Sequence, residues 1–145
     1  MKELLFSIKI KAPKEKVWNT LWDHNTFRDW ACIIDEGTYM VGEIREGSKV
    51  QFISSVSGYG VTSMIEKHIP FEFVLFHFMT DTMESGTQER GNEWTGGKES
   101  YVLEETDGVT TLTVKTDVSR EQEETFNNRF PRALERVKNL VEITQ

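Results

Sequence analysis

The sequence predicts an α+β fold: a curved antiparallel sheet of six to seven strands around one long C-terminal helix, with two short helices after strand 1. Three observations carry this. The chain opens on strict period-two alternation, it closes on an amphipathic run at helical spacing over residues 120–143, and strand-like segments joined by glycine- and proline-marked turns lie between. Strands that follow one another as hairpins, with the helices segregated from them, give an antiparallel sheet with its helices in a second layer.

The elements follow in order. Leu4, Phe6, Ile8 and Ile10 alternate with Ser7, Lys9 and Lys11, the signature of a half-buried strand over 4–11. Pro13 ends that strand and can open a helix at its first position, where a missing N–H costs nothing. Val17, Trp18, Leu21 and Trp22 then form one apolar helical stripe, and a second short helix is expected over Asn25–Trp30. Gly37, Gly42 and Gly47 punctuate the next stretch around a short strand near Gly37–Val41. Residues 50–55 and 61–68 read as strands, separated by the Gly58-Tyr59-Gly60 turn.

Residues 71–79, FEFVLFHFM, are apolar on both faces except at Glu72 and His77, which suits a strand buried on both sides or lining a cavity. Residues 80–97 are polar, carry four glycines and read as a long loop. Lys98–Glu105 and Val109–Val118 flank Asp107-Gly108, a dipeptide that favours the primed hairpin turn. Ser119 with Gln122 has the spacing of a capping box. Glu121, Glu123 and Glu124 early in the last helix, and Arg129, Arg132, Arg136 and Lys138 later, complement its dipole. Phe126, Phe130, Leu134, Val137 and Val141 form its apolar stripe, and Pro131 predicts a kink near Asn127–Phe130.

Composition bounds the function. A length of 145 residues fits a single domain, 1–145, able to bury roughly 70% of its unfolded surface without metal or disulfide. Four Trp and nine Phe give a bulky interior. The net charge of −7 opposes nucleic-acid binding, which needs a basic field, and binding to an anionic membrane. Lys9, Lys11, Lys14 and Lys16 come closest to a basic stripe, but Glu15 interrupts them. The single cysteine, Cys32, forbids an internal disulfide and fits a reducing compartment. With no apolar run of signal-peptide or membrane-helix length, the expected location is the cytoplasm, without membrane insertion.

In several segments the chain resembles the START-like (SRPBCC) superfamily, in particular the AHSA1-like domain family named after the activator of Hsp90 ATPase. Ala12-Pro13 followed by Val17-Trp18 and Leu21-Trp22 resembles the family's opening strand-to-helix signature, and Phe27-Arg28-Asp29-Trp30 its second short helix. Val61–Pro70 resembles the strand that ends in its proline turn. Glu99–Leu103 with Gly108–Val114 resembles its last hairpin, and Leu134–Glu142 the end of its long helix. At Phe130-Pro131 the sequence departs from the family pattern. The resemblance implies a helix-grip fold of the START/Bet v 1 type, with a cavity between sheet and C-terminal helix. Superfamily members bind lipids, sterols, polyketides or plant hormones, and some are cyclases or aromatases.

The chemistry-bearing residues favour a binding module over an enzyme. His24, His68 and His77 pair with no nucleophile elbow, and Cys32 reads as a buried or partly buried structural thiol. His68 and His77 fall on neighbouring strands without a third ligand at a recognisable spacing, so no metal site and no cofactor is expected. The expected ligand is a small apolar molecule, lipid-like or aromatic, held by cavity candidates Trp30, Phe52, His77, Trp94, Tyr101, Phe126 and Phe130, with His77 and Tyr101 supplying polar contacts. Glu99 shares parity with Tyr101 and Leu103 and is the candidate polar group at the cavity mouth. An acid–base enzyme of the cyclase or hydrolase kind, using Glu99 or His77, is the alternative. An Hsp90-type chaperone-regulating module comes third, because most of the eukaryotic co-activator's ATPase stimulation resides in a domain other than the one this chain resembles. The sequence leaves monomer and homodimer both open.

Overall fold

The computed structural model describes residues 1–84 and 95–143. Its elements are β1 (Lys2–Ile10), α1 (Lys14–Trp22), α2 (His24–Ala31), β2 (Thr38–Val41), β3 (Lys49–Ser54), β4 (Tyr59–Ile69), β5 (Phe73–Met83), β6 (Lys98–Thr106), β7 (Val109–Val118) and α3 (Glu123–Ile143). The seven strands form one antiparallel sheet in the order β1-β7-β6-β5-β4-β3-β2. This is the helix-grip arrangement: a curled sheet, two short helices after its first strand, and one long helix against its concave face.

Local chemistry explains most boundaries. Pro13 is extended (φ −67°, ψ 153°) and caps α1 from outside, one residue earlier than the first helical position expected for it. Asp23 ends α1 and starts α2, its carboxylate accepting from the Asn25 and Thr26 N–H groups at 3.0 and 3.4 Å. Asp107 and Gly108 both adopt positive φ (53° and 78°), as the primed hairpin turn between β6 and β7 requires. At Gly60 the constraint is steric. A Cβ there would run into the Phe52 carbonyl oxygen and come within 2.7 Å of Ile53 Cα, so only glycine lets β3 and β4 approach.

Three expectations are corrected. β5 does not stop at residue 79. It continues to Met83, with Thr80, Asp81 and Thr82 pairing Thr62, Val61 and Gly60 across a register shift, because ladder hydrogen bonds outweigh the polar composition there. The capping box does not form: Ser119 makes no side-chain cap bond, and residues Arg120–Gln122 wind as a 3-10 turn before α3 begins at Glu123. Cys32 is exposed at the end of α2, its thiol donating to the Asp29 carbonyl at 2.9 Å. The last helix runs through Pro131 as one element.

The core lies between the concave sheet face and the helices. Ile10, Ile65, Val74, Phe76, Leu112 and Val114 from the strands meet Val17, Leu21, Trp30, Phe130, Leu134 and Val137 from the helices, all buried. Phe130 stacks on Phe6 of β1 with centroids 4.9 Å apart and rings 5° from parallel. α3 is pinned from the other side by Arg136, whose guanidinium donates to both carboxylate oxygens of Asp29 on α2 at 2.7 and 2.9 Å, and by Arg129, which donates to the Ile34 carbonyl at 3.1 Å. Among the described residues no helix is long and apolar enough to cross a membrane.

Candidate functional site

Strand parity decides what faces the interior. On β5, Val74, Phe76 and Phe78 point to the concave side, and on β6, Glu99, Tyr101 and Leu103 do. On β7 the inward set is Leu112, Val114, Thr116 and Val118. At the β2 end of the sheet the inward-facing row Phe52–Val61–Asp81 crosses β3, β4 and β5. Above these rows α1, α2 and α3 close the space with Trp22, Phe27, Trp30, Phe126 and Phe130.

They enclose a cavity of about 510 Å³, inside the roughly 300–1,000 Å³ span of small-molecule sites. Its walls are largely aromatic and mutually braced. Trp22 meets Tyr101 edge-on at 4.8 Å and Phe76 at 5.4 Å, and Phe27 lies 5.6 Å from Phe52. Trp30 is fixed by its Nε1–H donating to the Leu21 carbonyl at 3.1 Å. Exposed lining residues Asp35, Ser57 and Tyr59 mark the end that opens to solvent.

One polar cluster sits in this wall. The Glu99 carboxylate accepts from the Tyr101 hydroxyl at 2.8 Å and from Thr116 Oγ1 at 2.7 Å. Burial pushes the Glu99 carboxyl above its usual range, and the Thr116 and Tyr101 hydroxyls pull the other way. Burial also holds the Tyr101 phenol well above its ordinary value, with the Glu99 charge adding to the effect. Tyr101 is therefore a donor at neutral pH. At the open end, partial loss of solvent around the Asp35 carboxyl raises it while the Arg129 charge opposes. The indole Nε1–H of Trp22, also in the lining, is buried and without a hydrogen-bond partner among the described residues. An unsatisfied buried donor costs on the order of 1–3 kcal/mol.

Of the residues singled out in the sequence, the structure brings Trp30, Phe52, Tyr101, Phe126 and Phe130 together around the cavity. Glu99 joins them as an enclosed wall group rather than a solvated group at the mouth. His77 does not. It lies on the convex face of β5, opposite Met64 and Lys98, because the inward parity belongs to Phe76 and Phe78. The polar contact expected from His77 is thus corrected. Trp94 lies outside the described residues. The inward histidine is His68, which stacks on Trp18 at 5.5 Å, away from the cavity lining. No group of three potential metal ligands occurs among the described residues.

Sequence reasoning missed Trp22, Asp35, Asp81 and Thr116 as lining. Thr116 was findable: it is a polar residue in the mostly apolar inward set on β7.

No protein-family model matches the chain, and no curated protein does. Solved structures do match in shape. Protein MLL2253 from Mesorhizobium loti superposes with a TM-score of 0.74 at 13% identity, covering 99% of each chain. The Aha1 dimer from Colwellia psychrerythraea gives 0.72 at 22% identity, over 99% of this chain and 98% of that one. CalU16 from Micromonospora echinospora gives 0.65 at 16% identity, over 96% of this chain and 75% of that one. These structures share the architecture of a curled antiparallel sheet around a long C-terminal helix. At these identities the likeness establishes architecture, and function has to be argued from the site.

Proposed function

We propose that this protein binds a small, largely apolar molecule in the cavity between the sheet and α3. The observation that carries the reading is the cavity itself: about 510 Å³, walled largely by aromatic side chains and holding the polar cluster of Glu99, Tyr101 and Thr116. That is the composition of a small-molecule site, where apolar walls supply affinity and a few placed polar groups fix orientation. The proposed contacts are Trp30, Phe52, Phe126 and Phe130 for the walls and Tyr101 with Glu99 for the polar end. The motif series and the match to the Colwellia Aha1 dimer support a place near the AHSA1-like branch. The lone Cys32 suits a reducing compartment, the cytoplasm.

Val61→Trp tests this. Val61 faces the cavity from β4 without belonging to the buried core, so a large ring there fills the space while the fold persists. Binding of naphthylmethanol, followed by calorimetry, should be present in the unsubstituted protein and lost in V61W. Equal binding in both would place the ligand elsewhere.

A second reading is favoured by one observation. A buried carboxylate with a raised pKa, opening onto a cavity, is the usual setting of a general base. Under that reading Glu99 takes a proton from an activated C–H or O–H of the bound molecule, with the Tyr101 hydroxyl steadying the charge. An activity abolished in Glu99→Gln with substrate binding retained would establish it.

A further inference from the structure

The described residues lining the cavity include the carboxylates Asp35, Asp81, Glu99 and Asp117 but no lysine, arginine or histidine. Glu99 sits in the cavity wall, and both of its hydrogen-bond partners, Tyr101 and Thr116, are neutral hydroxyls. Buried carboxylates are ordinarily paired with a cation or a metal ion. Among the described residues no cation is hydrogen-bonded to this one, and no cluster of potential metal ligands occurs there either. Arg129, whose charge reaches Asp35 at the open end, donates to the Ile34 carbonyl.

From this we propose that the ligand is an organic cation, a ring-bearing amine whose ammonium group sits against the Glu99 carboxylate. The inference rests on the ligand-binding reading above and names the class of molecule bound. The walls fit the same assignment. Trp22, Trp30, Phe52 and Tyr101 present ring surface around the site, and aromatic faces attract ammonium groups. The unpartnered Trp22 Nε1–H supplies a donor for an oxygen atom on the ring portion of such a ligand. Fatty acids and anionic lipids are disfavoured, since their head groups would set a second negative charge beside Glu99, and no described lining residue is a cation.

The test uses three probes with one ring system and three charges: naphthylmethylamine, naphthylmethanol and naphthoate. Each is titrated calorimetrically into the full-length protein near neutral pH and at low ionic strength. The expected order is amine tightest, alcohol about tenfold weaker and naphthoate weakest, a step worth about 1.4 kcal/mol. Glu99→Gln should bring the amine down to the affinity of the alcohol and leave the alcohol unchanged. If the alcohol or naphthoate binds as well as the amine, the cation assignment is overturned and the ligand-binding reading stands. If the amine keeps its advantage in E99Q, its place against Glu99 is overturned. If none of the three binds, both proposals fall. The ranking on the unsubstituted protein decides the charge class even where the E99Q variant folds poorly.

Discussion

Replacing Tyr101 by phenylalanine removes one oxygen atom and little else, so it isolates the link between Tyr101 and Glu99. The hydroxyl donates to the Glu99 carboxylate at 2.8 Å, and Thr116 Oγ1 supplies the remaining bond at 2.7 Å. A hydrogen bond to a charged group contributes about 1.5–3 kcal/mol, and one between neutral groups about 0.5–1.5 kcal/mol. The cost of Tyr101→Phe therefore depends on whether Glu99 is ionised. Burial raises the folded-state pKa of Glu99, so the folded protein retains a proton that the unfolded chain has already released. Stability then falls as pH climbs from the ordinary glutamate value of about 4.3 towards the raised one. The Tyr101 hydroxyl limits that fall by stabilising the carboxylate. Without it the folded-state pKa moves further up and the loss deepens. Urea denaturation of both proteins over a pH series rising from the ordinary glutamate value of about 4.3 should show the difference widening as Glu99 ionises, from about 0.5–1.5 kcal/mol towards about 1.5–3 kcal/mol. In a Glu99→Gln background the widening should vanish. A difference that stays constant with pH, or narrows as pH rises, would refute the account of the cluster.

Three further outcomes follow from named contacts. Asp29→Asn breaks the bidentate pair to Arg136, but the side chains of Arg136 and Asp29 are 40% and 38% exposed, so the loss should stay at or below about 1 kcal/mol. The Arg136 guanidinium holds the Asp29 carboxyl below its ordinary range, so the pair's contribution is present above that range and disappears as pH falls through the lowered value. Denaturation curves of D29N and the parent should accordingly converge in acid. Gly60→Ala forces β3 and β4 apart at the Phe52 carbonyl and should cost about 1–3 kcal/mol or more, read from thermal unfolding. Phe130→Ala empties a fully buried site stacked on Phe6 and should cost about 3–5 kcal/mol by the same measure.

The layer order was legible because each element carries its own period. Alternation in β1 and β7 and the stripe through α3 are local signals that survive without knowledge of neighbours. The site was legible only in part. Tyr101 and Glu99 could be found because parity on β6 runs unbroken from Leu103. His77 was misplaced because β5 is apolar on both faces, and composition alone cannot say which face curves inward. Asp81 was missed because a register shift resets the parity of β5 beyond Phe78, in a stretch whose polar composition resembles a loop. Trp22 is a further case. The α1 stripe marks it as core, and only the tertiary packing of α1 against Phe76 and Tyr101 shows that one side of the indole borders a cavity.

The central claim is that the space between the sheet and α3 is a binding site rather than a gap closed by its own side chains. A crystal structure of the protein soaked with naphthylmethanol tests it most directly. The account predicts ring density enclosed by Trp22, Phe52, Tyr101 and Phe126, with the surrounding side chains close to the positions described above. A structure in which Phe52, Phe78 and Phe126 have collapsed into the cavity and the probe is absent from it would contradict the account.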